Sequence, residues 1–258
     1  MSARLAGRAA YVTGGGQGIG QGIALALAAE GAAVLVGDID LAAAEACAAD
    51  IRGKGGRAEA MRVDVTKAAD TEALVARTEA AFGGIDIAVH CAGIVSVCEV
   101  ADLAETEWDR VMNVNAKGVF LGCKAAVPAL RRRGFGRIIN IASVSGKDGY
   151  QGLAHYSASK YAVIGFTNSL AKEVAQQNIT ANAICPGIVR TAMWDILADE
   201  YKASGETREQ SWQRQVLAFV PQGRPQTPAE IGDLAVYLTL APSVTGQAIN
   251  IDGGLTSH

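Results

Sequence analysis

A serine, a tyrosine and a lysine within residues 140–160 have the types and spacing for acid–base chemistry. The segment reads Asn140-Ile-Ala-Ser143-Val-Ser-Gly146-Lys-Asp-Gly149-Tyr-Gln-Gly-Leu-Ala-His-Tyr156-Ser-Ala-Ser-Lys160. On a helix, Tyr156 and Lys160 lie one turn apart on the same face. An ammonium beside a phenol favours the phenolate and is expected to draw its pKa down from about 10. Ser143, at the end of the apolar run 137–142, can hydrogen-bond the substrate oxygen that Tyr156 protonates or deprotonates. Together they are equipped for proton transfer at an alcohol or carbonyl oxygen. A tyrosine and a lysine at this spacing more often mean a packed ring and a solvated amine, so the pair gains weight from its context.

That context begins near the N-terminus. The short apolar strand 9–13 runs directly into Gly14-Gly-Gly-Gln-Gly18-Ile-Gly20, and 18–30 reads as a helix with Ile19, Ile23 and Leu27 on one face. A glycine loop between a strand and a helix N-terminus suits a pyrophosphate, because backbone N–H groups and the helix dipole face it at close range. The next strand ends in Asp38, about 20 residues on, where a carboxylate can hydrogen-bond ribose hydroxyls and repel a 2′-phosphate. The plainer alternative is an Asp that caps the helix starting near Asp40. Gln17 brings no positive charge to the loop, so the charge pattern favours NAD over NADP.

Strand and helix then alternate to the end. Helices are expected over about 40–53, 67–82, 106–132 and 156–176, with strands ending near 63 and spanning 85–90, 137–142, 179–184 and 247–251. This alternation predicts one α/β domain over 1–258: a doubly wound Rossmann-type parallel sheet of about seven strands covered by helices on both faces. Ligands belong at the carboxyl ends of its strands. Residues 192–226 form a long insertion expected to cover the substrate, with Met193, Trp194 and Leu197 as apolar cover. Ser145, Tyr150 and Gln151 could hydrogen-bond a second substrate hydroxyl, and Trp194 could touch substrate. His155 is expected to face outward.

Composition narrows the class. Half of the 258 residues are apolar, glycine is abundant at 30, aromatics are few, and net charge is −3. No basic cluster exceeds Arg131-Arg132-Arg133, so nucleic acid is not an expected partner. No apolar run approaches the roughly 20 residues of a membrane span, and no charged leader precedes the first strand. The five cysteines form no C-x-x-C, and the three histidines have no ligand spacing, so no metal is expected. Scattered thiols of odd number suit a cytoplasmic protein.

Over essentially its whole length the chain resembles the short-chain dehydrogenase/reductase family. The resemblance rests on Thr13-Gly14-x-x-x-Gly18-x-Gly20, Asp64-Val65, Ala92-Gly93, Asn113-Val-Asn115, Ser143, Tyr156-x-x-x-Lys160 and Pro186-Gly187-x-x-x-Thr191. It implies that Tyr156 is the acid/base and that Lys160 lowers its pKa and binds the nicotinamide ribose. Ser143 would hold the substrate oxygen, and Asn115 would shape a proton relay from Lys160. Gly14, Gln17, Gly18, Ile19 and Gly20 would meet the pyrophosphate, Asp64 and Val65 the adenine, and Ala92 and Gly93 the cofactor's underside. Pro186, Gly187, Ile188 and Thr191 would fix the nicotinamide. The chain departs from the family at Cys91, where Asn is usual, and this is expected to alter local stability. A redox role for Cys91 is the less favoured alternative.

The stretches Ser143–Gly149 and Pro186–Trp194 are similar to acetoin/2,3-butanediol reductases and polyol dehydrogenases. This implies an NAD-dependent oxidoreductase acting on a small vicinal diol, hydroxyketone or sugar alcohol. The alternatives are a 3-oxoacyl thioester reductase, or a catalytically silent nucleotide-binding subunit. Small and apolar residues on several faces of 106–132, namely Ala116, Gly118, Gly122, Ala125 and Ala126, join with the resemblance to predict a homotetramer.

Overall fold

Short apolar strands separated by helices of a dozen or more residues pair in parallel, since each crossover returns the chain to the same end of the sheet. The computed structural model, which describes residues 3–256, has this form. Its strands are β1 (Ala9–Thr13), β2 (Ala33–Asp38), β3 (Ala58–Arg62), β4 (Ile87–His90), β5 (Gly136–Ile141), β6 (Ile179–Pro186) and β7 (Ala248–Ile251). The helices are α1 (Gly18–Ala29), α2 (Leu41–Gly53), α3 (Ala68–Phe82), α4 (Glu105–Met112), α5 (Gly118–Arg133), α6 (Ala154–Val174), α7 (Ala192–Glu200), α8 (Arg208–Phe219) and α9 (Pro228–Leu240). All seven strands are parallel, in the order β3-β2-β1-β4-β5-β6-β7. The order reverses between β1 and β4, which opens a crevice above the carboxyl ends of these two strands.

Every residue of β1, β2, β4, β5 and β6 is buried, as a sheet sandwiched between helix layers requires. One core lies on the face that carries Val12, Val34, Val36, Ile23, Leu27 and Ile231. The other gathers Leu35, Ala88, Ile138, Leu130, Leu170 and Val174. Helices α1 and α9 cross so closely that a Cβ on Gly22 would lie 2.3 Å from the Pro228 carbonyl oxygen. This crossing fixes the tilt of α1, and so the aim of its N-terminus.

The expected helix 106–132 is divided. After α4 the chain makes a π-helical turn, Asn113–Lys117, before α5 resumes. No proline or glycine breaks the sequence there, and the cause is a tertiary bond described below. The small residues expected to serve a subunit contact also have inward partners. A Cβ on Gly118 would come within 2.9 Å of Val65, one on Gly122 within 2.4 Å of His90, and Ala126 is fully buried. Residues 192–226 hold α7 and α8, which pack Trp194 and Trp212 at 5.5 Å between ring centres. No helix among the described residues is long and apolar enough to cross a membrane.

Candidate active site

The crevice is a cavity of about 690 Å³ that runs from Asp38 at one end to Tyr156 and Trp194 at the other. It is lined by every residue given a catalytic, cofactor or substrate role from the sequence except Asn115, which lies fully buried behind its wall.

The glycine loop forms the floor. Gly14 and Gly18 have φ of 63° and 56°, a left-handed conformation that side chains resist. A Cβ on Gly14 would stand 2.7 Å from Ala92 Cα, and one on Gly20 only 2.0 Å from the Gly14 carbonyl oxygen. Gln17 precedes α1 without a side-chain cap, so no side chain covers the first N–H groups of that helix. This bare, glycine-walled helix start fits a pyrophosphate.

Asp38 is held rigidly, accepting from Gly16 N at 2.9 Å and Asp40 N at 3.1 Å. It is Asp40 that caps α2, accepting from Ala42 N and Ala43 N, so the capping alternative for Asp38 does not hold. Asp64 accepts from the Thr66 backbone and hydroxyl, and these bonds hold its carboxyl below the usual range. Gly187 lies against Asp252, whose Cβ would be 2.7 Å from a Cβ at that position. Thr191 precedes α7 and donates to Val189 O at 3.3 Å, with its methyl near Gly18.

Strand β5 delivers Ser143 just past its end, where the hydroxyl accepts from Ser145 N at 3.1 Å and caps a turn of 3-10 helix. Helix α6 brings Tyr156 and Lys160 to the same point. The Ser143 hydroxyl stands close enough to the Tyr156 phenol to favour its phenolate. Lys160 Nζ donates to the Ile141 carbonyl oxygen at 2.9 Å and lies 5.7 Å from the centre of the Tyr156 ring. Both residues are buried, Tyr156 at 8 % and Lys160 at 4 % exposure.

Burial overrides the sequence expectation for the phenol. It pushes Tyr156 up to about 12, the nearby Ser143 hydroxyl opposes this only in part, and Lys160 is itself drawn down to about 8 by burial. Burial thus disfavours the charged form of both groups. The lone carbonyl partner of Lys160 also leaves two N–H groups free inside the cavity.

Asn115 sits in the π-helical turn. Its Oδ1 accepts from Ile94 N at 2.8 Å, and its Nδ2 donates to Ile94 O at 2.9 Å and Ser159 Oγ at 3.0 Å. One side chain thereby holds both polar groups of a residue in the loop after β4. The extra residue in that turn brings Asn115 to Ile94. Cys91, where the resemblance implies altered local stability, has its backbone N–H received by Thr13 Oγ1 at 3.1 Å, with that of Ala92 at 3.4 Å. The Cys91 thiol is pushed up to about 12 by burial and stays protonated.

Four residues depart from expectation or escaped it. His155 faces inward and is fully buried, its Nε2 at 2.8 Å from Ser96 Oγ. The Tyr150 hydroxyl is buried with no protein partner. Tyr201 and Arg214, which no motif marks, also line the cavity, and Tyr201 donates to the Gln151 carbonyl at 2.8 Å.

The chain matches the short chain dehydrogenase family over residues 8–202. It is 40% identical over 256 residues to D-beta-hydroxybutyrate dehydrogenase of Cupriavidus necator, covering 97% of this chain and 98% of that one. It is equally similar, with the same coverage, to galactitol 2-dehydrogenase of Agrobacterium fabrum. A crystal structure of an actinorhodin polyketide ketoreductase with NADPH superposes with a TM-score of 0.93 at 38% identity, covering 99% of both chains. The chain belongs to the short-chain dehydrogenase/reductase family and is an oxidoreductase of alcohols and ketones that uses a nicotinamide cofactor.

Proposed function

We propose that the protein is an NAD-dependent dehydrogenase of a neutral secondary alcohol, a small vicinal diol, hydroxyketone or sugar alcohol, and that it works in the cytoplasm. The single observation that carries the reading is the convergence of Ser143, Tyr156 and Lys160 at the end of a cavity whose other end is Asp38. In oxidation, Ser143 holds the substrate hydroxyl while Tyr156 takes its proton, and in reduction Tyr156 returns one to the forming alkoxide. Lys160 holds positive charge beside the phenol, and its free N–H groups suit ribose hydroxyls. Asn115 keeps Ile94 and Ser159 in place behind it. The nicotinamide, when bound, accepts or supplies the hydride.

Asp38 supports NAD. It is a buried carboxylate held by two backbone amides, and a phosphate beside it would be strongly repelled. No cation can be built in next to it at Gly16, because a Cβ there would lie 2.8 Å from that of Ala43.

A neutral substrate follows from the charges at the other end. Among the described residues, Lys160 and Arg214 are the only Lys or Arg side chains on the cavity wall. Arg214 is committed to Glu206 and to the Tyr201 carbonyl oxygen. With the free N–H groups of Lys160 taken up by the cofactor ribose, a substrate carboxylate would find no free cation there. Tyr150, Ser145 and Gln151 can serve a second hydroxyl, under an apolar cover of Met193, Trp194 and Leu197 drawn from 192–226. A site that pairs a second hydroxyl rejects analogues without it, since its own polar groups are then left bare. Vicinal diols and polyols should therefore exceed the matching 2-alkanols, 3-hydroxybutyrate and an acetoacetyl thioester in kcat/KM with NAD(H). Equal efficiency on diols and simple alkanols would refute this substrate class.

We further propose a homotetramer. Phe120 on α5 is 44 % exposed and packs edge-on against Phe166 of α6, so an apolar face remains at this helix pair. Light scattering at micromolar concentration should give four chains, and a stable monomer would refute it.

A further inference from the structure

His155 immediately precedes Tyr156 and is fully buried, yet nothing in the proposed chemistry uses it. Its Nε2 meets Ser96 Oγ at 2.8 Å, and Ser96 hydrogen-bonds Glu107 of α4. Glu107 is gripped by both arms of Arg110 at 2.7 Å, and its carboxyl is held down at about 2 by Arg110 and Ser96. A carboxylate with that affinity is ionised at any working pH and can only accept. The single Ser96 proton therefore goes to Glu107, and Ser96 Oγ must accept from His155 Nε2–H. That fixes the tautomer. The second ring nitrogen, Nδ1, carries a lone pair, is buried, and has no partner.

This chain of three side chains joins three elements. It ties the first turn of α6 to the loop after β4 and that loop to α4. The same loop is held one step earlier by Asn115 at Ile94 and one step later by Cys98 N, which donates to Gly152 O at 2.9 Å. Between these ties lies Val95, packed with Leu153, Tyr156 and Leu197. The start of α6 has no side-chain cap of its own.

We propose that His155 is a positioning residue for Tyr156: through Ser96 and Glu107 it locks the first turn of α6 against the cavity wall, and it loosens that lock when it takes up a proton. The proton must land on Nδ1, where the new N–H is buried without an acceptor and costs a desolvated donor. The charged groups facing His155 are Glu107, which favours the cation, and Arg110, which opposes it. Burial outweighs both and draws the imidazole below its ordinary value. At neutral pH the lock is therefore closed, and acid opens it.

The kinetic test rests on the alcohol/ketone activity proposed above, while the spectroscopic one stands without it. Ketone reduction is the informative direction, because Tyr156 must then be protonated and adds no loss of its own in acid. The wild type should lose kcat/KM as pH falls from 7 to 5. His155→Gln, whose amide can donate to Ser96 but does not titrate, should keep neutral activity within about threefold and lack the acid limb, whereas His155→Ala should lose about tenfold throughout. An acid limb unchanged in His155→Gln overturns the proposal. Should the His155 variants fail to fold, Glu107→Gln removes the charge that favours protonation and should move the limb to lower pH, and an unmoved limb overturns it as well. Nitrogen NMR of the labelled side chain in the whole protein at pH 8 should show the Nε2–H tautomer, and the Nδ1–H tautomer would exclude the lock even in a protein inactive on every ketone tried.

Discussion

Lys160 points its ammonium at the Ile141 carbonyl oxygen, 2.9 Å away, and stands 5.7 Å from the centre of the Tyr156 ring. In this arrangement burial governs the phenol, at about 12, more than the lysine does, at about 8. Raising the pH therefore neutralises Lys160 before it ionises Tyr156 in the cofactor-free chain. Tyr156 needs further positive charge beside it to become a base near neutrality, and oxidised nicotinamide carries such a charge.

The first prediction follows. Phenolate absorbance, taken as the difference between wild type and Tyr156→Phe, should titrate above the ordinary value of about 10 without cofactor and below it with saturating NAD. Tyr156→Phe should still bind cofactor and lose roughly 10²–10⁴-fold in kcat. Activity within tenfold of the parent, or a titration indifferent to cofactor, would contradict the role given to this residue.

Why Tyr156, Lys160 and Ser143 were legible in the sequence, and His155 was not, has a physical basis. Helical spacing puts Tyr156 and Lys160 on one face, and an apolar strand ending at Ser143 fixes where that hydroxyl emerges. Both are local rules. The burial of His155 depends on Ser96 and Glu107, which approach from a loop and a helix far away in sequence. The division of 106–132 has the same origin: Asn115 is drawn to both polar groups of Ile94, and the helix accommodates it with one extra residue. The glycines of α5 show a further ambiguity. Gly118 and Gly122 signal close approach, but only the fold reveals that the approach is to Val65 and His90 within the chain. The parallel direction of the strands, by contrast, follows from alternation alone, because each helical crossover returns the chain to the same end of the sheet.

The second prediction concerns Asp38. Asp38→Asn removes the charge and keeps an acceptor for Gly16 N, so the loop should survive. kcat/KM with NADP should rise by about tenfold or more, while that with NAD falls. The unmodified enzyme should favour NAD. Steady-state kinetics with both cofactors measure this directly, and a preference of the parent for NADP would remove Asp38 from its assigned role.

The last prediction concerns stability and uses a polar chain that plays no part in the chemistry. Tyr11 OH meets His90 Nε2 at 2.6 Å, His90 Nδ1 meets Asn140 Oδ1 at 2.7 Å, and Asn140 Nδ2 donates to Thr167 Oγ1 at 2.8 Å, all buried. Thr167 in turn donates to Val163 O at 2.7 Å. Tyr11 OH has a second acceptor in the Gly122 carbonyl oxygen at 3.4 Å, so burial rather than the bonds keeps His90 neutral, holding its pKa at about 4 against an ordinary 6.5. The unfolded chain therefore binds more protons between these values. The contribution of His90 is fully present above pH 6.5 and is lost as pH falls towards 4, roughly 3 kcal/mol at about 1.4 kcal/mol per unit. His155 adds a loss of the same sign, so the two must be separated. Tyr11→Phe leaves His90 Nε2 without a donor and should cost about 1–3 kcal/mol at pH 7 by urea denaturation. The bare nitrogen should then take up a proton more readily, so the loss between pH 6.5 and 4 should shrink in Tyr11→Phe and stay unchanged in His155→Gln at the His90 site. A parent protein equally stable at pH 7 and pH 5 would show that the buried imidazole is not held neutral.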